Sequence, residues 1–466
     1  MDVNQDILFE QFEAVIATSD KLLITEFLDN QNISDVADLI SQYSEYEVQI
    51  VANMSINRAI AVFKILDIQT QKEIVKNLPH HKTAELLNEL PADDRTDFLE
   101  ELSKPAIRDL IKLLDPEERK ITLSLLGYPE DSVGRLMTPD YVYVYSYETV
   151  EQVLNTIRKV AKSSETVDVI YVINDQGDLL DDIRIRDIIL AQPETLIEDL
   201  MDGRWVALNV NDDQEHASQV FKMNNRVALP VTDDNNRLMG IVTIDDMLWV
   251  ADEEFREDMQ KMGGTEALEE PYLDTPFFKL IKKRVGWLII LFLSEMLTAT
   301  AMAYFNDEIA KATILAMFIP LIMSSGGNSG SQASTLIIQA MAVGEVKLLD
   351  WWRVMRREIF SGLLLGSILG SIGFVRITLW HIMMQHGIIE NLYGPNWFRV
   401  ACTVGVSLVG VVLWGTLTGS MLPIALKKLG ADPAVSSAPF VATLVDVTGI
   451  VIYFSVAYMF LQGIML

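Results

Sequence analysis

Pro439-Phe-Val-Ala-Thr-Leu-Val-Asp446-Val-Thr-Gly449 sets one carboxylate inside an apolar run, Val435 to Leu461, that is long enough to cross a bilayer. A carboxylate at membrane depth costs at least a few kcal/mol, so such residues face a partner or a water-filled path. A second long apolar run is interrupted by Ser324-Ser-Gly-Gly-Asn-Ser-Gly-Ser-Gln332. Together the two stretches predict a cation path through a membrane. Apolar runs lie near 285–305, 312–343, 359–384, 400–426 and 435–464, each longer than the ~20 residues a bilayer requires. The expected membrane part is therefore an all-α domain of five spanning helices over 279–466.

Charge separates this part from the rest of the 466-residue chain. Lys279 onward carries 13 Lys and Arg against 9 Asp and Glu; the preceding part carries 24 against 56. So acidic a soluble region argues against nucleic acid, which selects basic patches, and favours cations. The single cysteine, Cys402, permits no disulfide within the chain, as suits a reducing compartment. Met1 to Asp20 lacks a basic segment followed by an apolar run, so no signal peptide is expected. Basic residues cluster before the first run (Lys279, Lys282, Lys283, Arg284), between the second and third (Arg353, Arg356, Arg357) and between the fourth and fifth (Lys427, Lys428). The positive-inside rule then puts those loops and the acidic region in the cytoplasm and the carboxy terminus outside. The expected location is the inner or plasma membrane. Asp350-Trp-Trp-Arg-Val-Met-Arg-Arg357 reads as an interfacial helix, and Gly362, Gly366 and Gly370 as a close helix–helix contact.

The acidic region has two parts. Met54, Leu66, Leu78, Leu90, Leu102 and Leu114 recur every 12 residues, with turn signals at Leu78-Pro79, Leu90-Pro91 and Asp115-Pro116. Prolines exclude one long helix, so 1–132 is predicted as an α-solenoid of short stacked helices. From Val133 the pattern becomes β-α alternation, with strands at Val142–Tyr145, Val169–Ile173 and Ala228–Val231 and helices near Val150–Val160 and Glu215–Met223. Two halves overlay. Tyr171-Val-Ile-Asn-Asp-Gln-Gly-Asp-Leu179 matches Pro230-Val-Thr-Asp-Asp-Asn-Asn-Arg-Leu238, and Arg184-Ile-Arg-Asp187 matches Thr243-Ile-Asp-Asp246. This resembles a tandem pair of CBS domains over 133–244, followed by a connecting helix over 245–278.

Magnesium sheds its waters reluctantly and prefers octahedral oxygen ligands, so a ring of carboxylates can hold it hydrated. One buried acid per chain makes a poor pore; a symmetric dimer would bring two Asp446 side chains to one axis. Ala442 and Thr443, a turn earlier, would line the same path. Pro439 and Gly449 are expected to allow local unwinding. Gly326, Gly327 and Asn328 are expected to break or bend the second span and aim an amide at the lumen. The competing reading of Asp446 is a buried ion pair, with Arg376 the only deep basic residue and Glu295 the other acid well inside a span. No nucleophile–base constellation marks an enzyme, and His80, His81, His216, His381 and His386 show no zinc spacing.

The membrane residues resemble the MgtE family of magnesium channels. The resemblance is carried by Pro271 through Leu288, Glu295-Met-Leu-Thr298, Pro320 with Gly326-Gly-Asn-Ser-Gly-Ser-Gln332, and Pro439 through Gly449. It extends to the domain order and covers nearly the whole chain. It implies a multi-domain membrane protein: a homodimer in the lipid bilayer, importing Mg2+ through a central pore at Asp446. It also implies gating, in which cytoplasmic Mg2+ bridges acidic residues and closes the pore. The matching positions are Asp94 and Asp97 in the solenoid, Asp213 and Glu215 in the second CBS unit, and Asp246, Glu254, Glu257 and Asp258 on the connecting helix. Trp249 and Asn225 stand where further acids are expected, which predicts weaker or shifted gating. CBS pairs often bind adenine nucleotides through Gly-x-x-Ser/Thr-x-x-Asp. Gly240-Ile-Val-Thr243-Ile-Asp-Asp246 fits that pattern, whereas Asp181-Asp-Ile-Arg184 does not. ATP is therefore a candidate ligand at Thr243 and Asp246 with the first unit arguing against it. The alternatives are an ion-coupled divalent cation transporter on the same scaffold and a membrane-anchored CBS sensor.

Overall fold

The computed structural model describes residues 3–18, 20–268, 271–273, 275–388, 390 and 393–463, without the side chains of 3–5. Asp274 and the last residue of the expected fifth span, 464, lie outside the described residues. The chain divides into two compact units, Met1–Asp252 and Glu253–Leu466.

The first unit begins with short helices. Those at Ile56–Ile65, Ile68–Asn77, His80–Glu89, Ala92–Glu100, Lys104–Ile111 and Pro116–Leu125 start at the 12-residue interval read from the sequence. Met54, Leu66, Leu78 and Leu90 are the residues that leave their helices in extended conformation, with ψ of 158, 150, 147 and 135°. Each of the four turns its side chain into the core. One apolar residue per repeat thus ends a helix and fills the space beneath the next, which is why the period shows in the sequence. Arg95, fully buried, ties the stack together. Its guanidinium donates to the carbonyls of Leu87 (3.0 Å) and Leu90 (3.1 Å), to Thr122 Oγ1 (2.9 Å) and to Glu118 Oε2 (2.5 Å).

Two three-stranded sheets follow. β1 (Tyr143–Tyr145) runs parallel to β2 (Val169–Ile173), and β3 (Leu179–Arg184) antiparallel to β2. β4 (Leu208–Asn209), β5 (Ala228–Thr232) and β6 (Leu238–Thr243) repeat that order. Val169 faces Arg184 as Ala228 faces Thr243, and the register shifts at Val172/Ile173 as at Val231/Thr232. The internal overlay read from sequence is therefore the structural one. The helices Val150–Val160 and Gln214–Asn224 lie where alternation placed them. Ala92 and Leu125 of the helical part share a core with Val133, Leu208, Phe221 and Val242.

Among the described residues, the helices of nineteen or more residues are α1 (Ile244–Met262), α2 (Phe277–Tyr304), α3 (Ile319–Ala342), α4 (Trp351–Gln385), α5 (Trp397–Lys428) and α6 (Ala438–Leu461). Four of the five expected spans, α2, α4, α5 and α6, are long and apolar enough to cross a membrane. α3 has the length, but its Gly, Ser, Asn328 and Gln332 dilute its apolar character. It packs against α5 and α6.

Three sequence expectations are corrected here. The Gly326–Gly330 stretch does not break its helix: α3 runs unbroken through it. Its glycines admit neighbouring backbone instead. A methyl on Gly330 would sit 3.0 Å from the Gly415 carbonyl oxygen of α5, and one on Gly419 would land on the Gly330 carbonyl. The helix survives because packing, not propensity, decides it. Nor does α6 unwind: Pro439 lies in its first turn, where a missing N–H costs nothing, and Gly449 packs on Val411. Finally, Trp351–Arg357 is no separate interfacial helix. It is the start of the 35-residue α4, roughly 50 Å long at 1.5 Å per residue, since no proline or glycine intervenes before Gly362. The expected close contact at Gly362, Gly366 and Gly370 is present, made with Leu413, Val409 and Gly405 of α5.

Candidate functional site

Asp446 stands two turns into α6, half-buried. Val441 and Val445 flank it, bury fully and press on Gly326 and Gly330 of α3. That contact brings Gly327 against Ala442 and against the carboxylate itself: a methyl on Gly327 would lie 3.3 Å from Ala442 Cβ and 3.6 Å from Asp446 Oδ1. The glycine at 327 thus puts bare backbone beside the carboxylate. Thr443 donates to the Pro439 carbonyl (2.9 Å) within its own helix. Asn328 is exposed on α3, its amide 3.3 Å from Ser324 Oγ. Among the described residues no Lys, Arg or His pairs with Asp446. Arg376 instead lies over the Trp380 ring, 5.4 Å from its centroid, so the buried ion-pair reading finds no support. Glu295, on the exposed side of α2, lies within repelling range of Asp446.

The segment before α6 is pinned from several sides. Ser331 and Ser334 of α3 donate to the carbonyls of Ala438 (3.0 Å) and Ser436 (2.8 Å). The Trp287 indole of α2 donates to Ser437 Oγ (3.1 Å). Lys261, at the end of α1, bonds Glu257 Oε1 (2.6 Å) and Asp432 Oδ2 (2.7 Å). Asp432 in turn caps the Pro433–Val435 turn through the Ala434 N–H (2.8 Å). Gly264 follows in left-handed conformation (φ +74°), its open side against Trp287 and Pro439. The sequence reading gave Lys261 and Trp287 no role at this site; only the fold brings them to the head of α6.

In the first unit, Asp94 and Asp246 of the expected regulatory set lie within repelling range of one another, together with Asp93, Asp245 and Glu165. Burial, then repulsion from Asp246 and Asp94, pushes the Asp93 carboxyl well above its ordinary range. Burial likewise pushes Asp246 up to about 6, against the hydrogen bond it accepts from Thr243 Oγ1 (2.6 Å). Asp97 is exposed near Asp93. Asp213 and Glu215 stand elsewhere: Asp213 caps the helix Gln214–Asn224 by accepting the Glu215 N–H (2.8 Å), and Glu215 accepts from Gln219. Among the described residues no three Asp, Glu, His or Cys side chains converge into a metal-holding group. Asn225 is left-handed (φ 50°, ψ 47°) where that helix ends, a conformation asparagine tolerates better than glutamate. Its place is explained by the backbone. Trp249 is 61% exposed on α1.

Thr243 and Asp246 do not form an open nucleotide site, since Thr243 is buried and its hydroxyl is spent on Asp246. A cleft of ≈ 320 Å³ opens instead between the two CBS units, lined by Asp168, Arg184, Arg186, Asn225 and Arg226. Arg226 is anchored there by Asp182 (2.5 Å). The signal was present in the overlay, which sets Arg184 opposite Thr243.

Known proteins divide the chain in the same way. The MgtE intracellular N domain matches residues 31–131, the CBS domain matches 133–194 and 197–253, and the divalent cation transporter family MgtE matches 319–456. The magnesium transporter MgtE of Thermus thermophilus is 38% identical over 375 residues, covering 80% of each chain. That of Enterococcus faecalis is 31% identical, covering 74% of this chain and 73% of its own. The first unit also resembles a solved structure of the cytosolic domain of the Mg2+ channel MgtE in complex with ATP, at TM-score 0.50 and 33% identity over 51% of this chain and 98% of that one. The soluble part of a magnesium transporter matches at TM-score 0.51 and 26% identity, over 54% and 99%. The N domain, the CBS pair and the divalent cation transporter domain thus match in that order along this chain, and the chain belongs to the MgtE family of magnesium transporters.

Proposed function

We propose that the protein is a channel that imports Mg2+ along a path at Asp446. The observation that carries this reading is a carboxylate in an apolar helix, set against a glycine, with no basic partner among the described residues. Such a group attracts a cation, and a hydrated Mg2+ can be held through its waters without losing them. A homodimer would supply the second carboxylate. α2 supports that reading: only Thr298 of its side chains is buried within one chain, so lipid or a second copy must cover the rest. With α3 as the fifth span, the acidic first unit faces the cytoplasm of a cell whose inner or plasma membrane holds the protein, and the carboxy terminus lies outside. The acids of α1 (Asp246, Glu254, Glu257, Asp258) would sense cytoplasmic Mg2+. A divalent ion relieves their mutual repulsion, so the closed arrangement gains in proportion to free Mg2+. ATP fits the arginine-lined cleft better than Thr243 and Asp246, because Arg184, Arg186 and Arg226 supply charge for phosphates.

Mg2+ flux into liposomes carrying the purified protein, beside Asp446→Asn, tests the path. Flux lost in the variant with folding intact supports it. Equal flux moves the ion elsewhere, and no flux in either leaves a membrane-anchored sensor.

A further inference from the structure

Lys64 occupies the acidic cluster of the first unit. It lies in the last turn of the helix Ile56–Ile65. Its ammonium is 2.7 Å from Asp94 Oδ2 and 3.9 Å from Glu165 Oε1, with a quarter of the side chain exposed. Asp94 opens the helix Ala92–Glu100 of the helical part; Glu165 precedes β2 of the CBS pair, its N–H bound to the Asp140 carbonyl. One ammonium therefore touches carboxylates from both halves of the unit. Within electrostatic range of it, Asp93 is 4% exposed and has an Oδ1 with no hydrogen-bond partner. These acids do not converge into a metal cage; the place between Asp94 and Glu165 already holds a cation.

We propose that Lys64 is a built-in counter-ion which holds the helical part against the CBS pair where a divalent ion would otherwise be required. This rests on the regulatory reading of the acidic residues given above. A tethered ammonium is present at effectively constant concentration, so closure at the Asp94 corner is independent of free Mg2+. Burial alone would lower the affinity of Lys64 for its proton, but the Asp94 carboxylate 2.7 Å away outweighs it and holds the ammonium charged. The remaining acids, Asp245 and Asp246 among them, keep the cluster negative, so Mg2+ can act there but is not needed to close this corner.

The test uses the full-length protein with Cys402→Ala and nitroxide labels at Glu89→Cys and Lys159→Cys, exposed sites on the two halves. Their distance is measured by pulsed electron resonance in EDTA and in millimolar Mg2+. The expected result is one unchanged distance in both conditions for the parent and for Lys64→Arg. Lys64→Met should lengthen it in EDTA and restore it in Mg2+. Lys64→Met with Asp94→Asn, which removes both charges, should stay shorter in EDTA than Lys64→Met alone, and it carries the test should the single variant misfold. A parent that opens in EDTA as far as Lys64→Met overturns the proposal, as does Lys64→Met remaining closed or matching the double variant. Mg2+ flux of the same preparations reports separately on transport, so loss of that reading is distinguishable from loss of this one.

Discussion

Asp446 and Asp94 are both carboxylates withdrawn from bulk water, and the chain treats them oppositely. Asp94 has an ammonium at 2.7 Å; Asp446 has a glycine beside it and no basic partner among the described residues. A withdrawn acid with its own cation is a structural element. One left without a cation, at a cost, is available to a ligand. The two regions also pack differently. The helical part fills its core with side chains, among them the Met or Leu of each repeat and the buried Arg95, whereas α3, α4 and α5 meet backbone to backbone through glycines.

The comparison breaks most readily at the two aspartates. Asp446→Ala should reduce Mg2+ flux by on the order of tenfold or more, while Asp94→Ala should leave maximal flux intact. Equal losses would show that both acids serve structure alone. Arg95→Met should destabilise the first unit by about 3–5 kcal/mol, because it strands buried carbonyls and part of Glu118, and thermal unfolding of the full chain reads this. Gly419→Ala should cost about 1–3 kcal/mol by forcing a methyl into the Gly330 carbonyl. Gly286→Ala, whose nearest neighbour would be the Glu266 side chain 3.9 Å away, should be tolerated; equal unfolding midpoints would refute backbone-limited packing.

The smallest effect concerns Asp140. Burial, then Glu118, raises its carboxyl above the ordinary value, with Arg95 opposing. In the window above that ordinary value the folded chain binds more protons than the unfolded one, so stability falls as pH rises. Asp140→Asn should flatten that slope and raise the unfolding midpoint slightly near neutral pH. A steeper slope in the variant would contradict it.

Periodicity made most of the fold legible. The 12-residue leucines, the paired strands and Asp446 could be read because each repeats or violates a pattern within a few residues of itself. The glycines of α3 were misread for the converse reason: a glycine weakens a lone helix, yet it permits the closest approach of two, and which applies depends on a neighbour remote in sequence. The Trp351–Arg357 reading failed likewise, since aromatic and basic residues mark an interface but do not end a helix.

The candidate site divides along the same line. The sequence alone determined the domain order, the family resemblance, the lone carboxylate at 446 and the apolar runs, because these follow from composition and local spacing. Only the tertiary structure decided that Gly327 faces that carboxylate, that Arg376 does not, that Lys64 sits among Asp94 and Glu165, and that Lys261 holds Asp432. Charge interactions act over a few ångströms of space whatever the separation along the chain, so which acid has a cation is settled by packing.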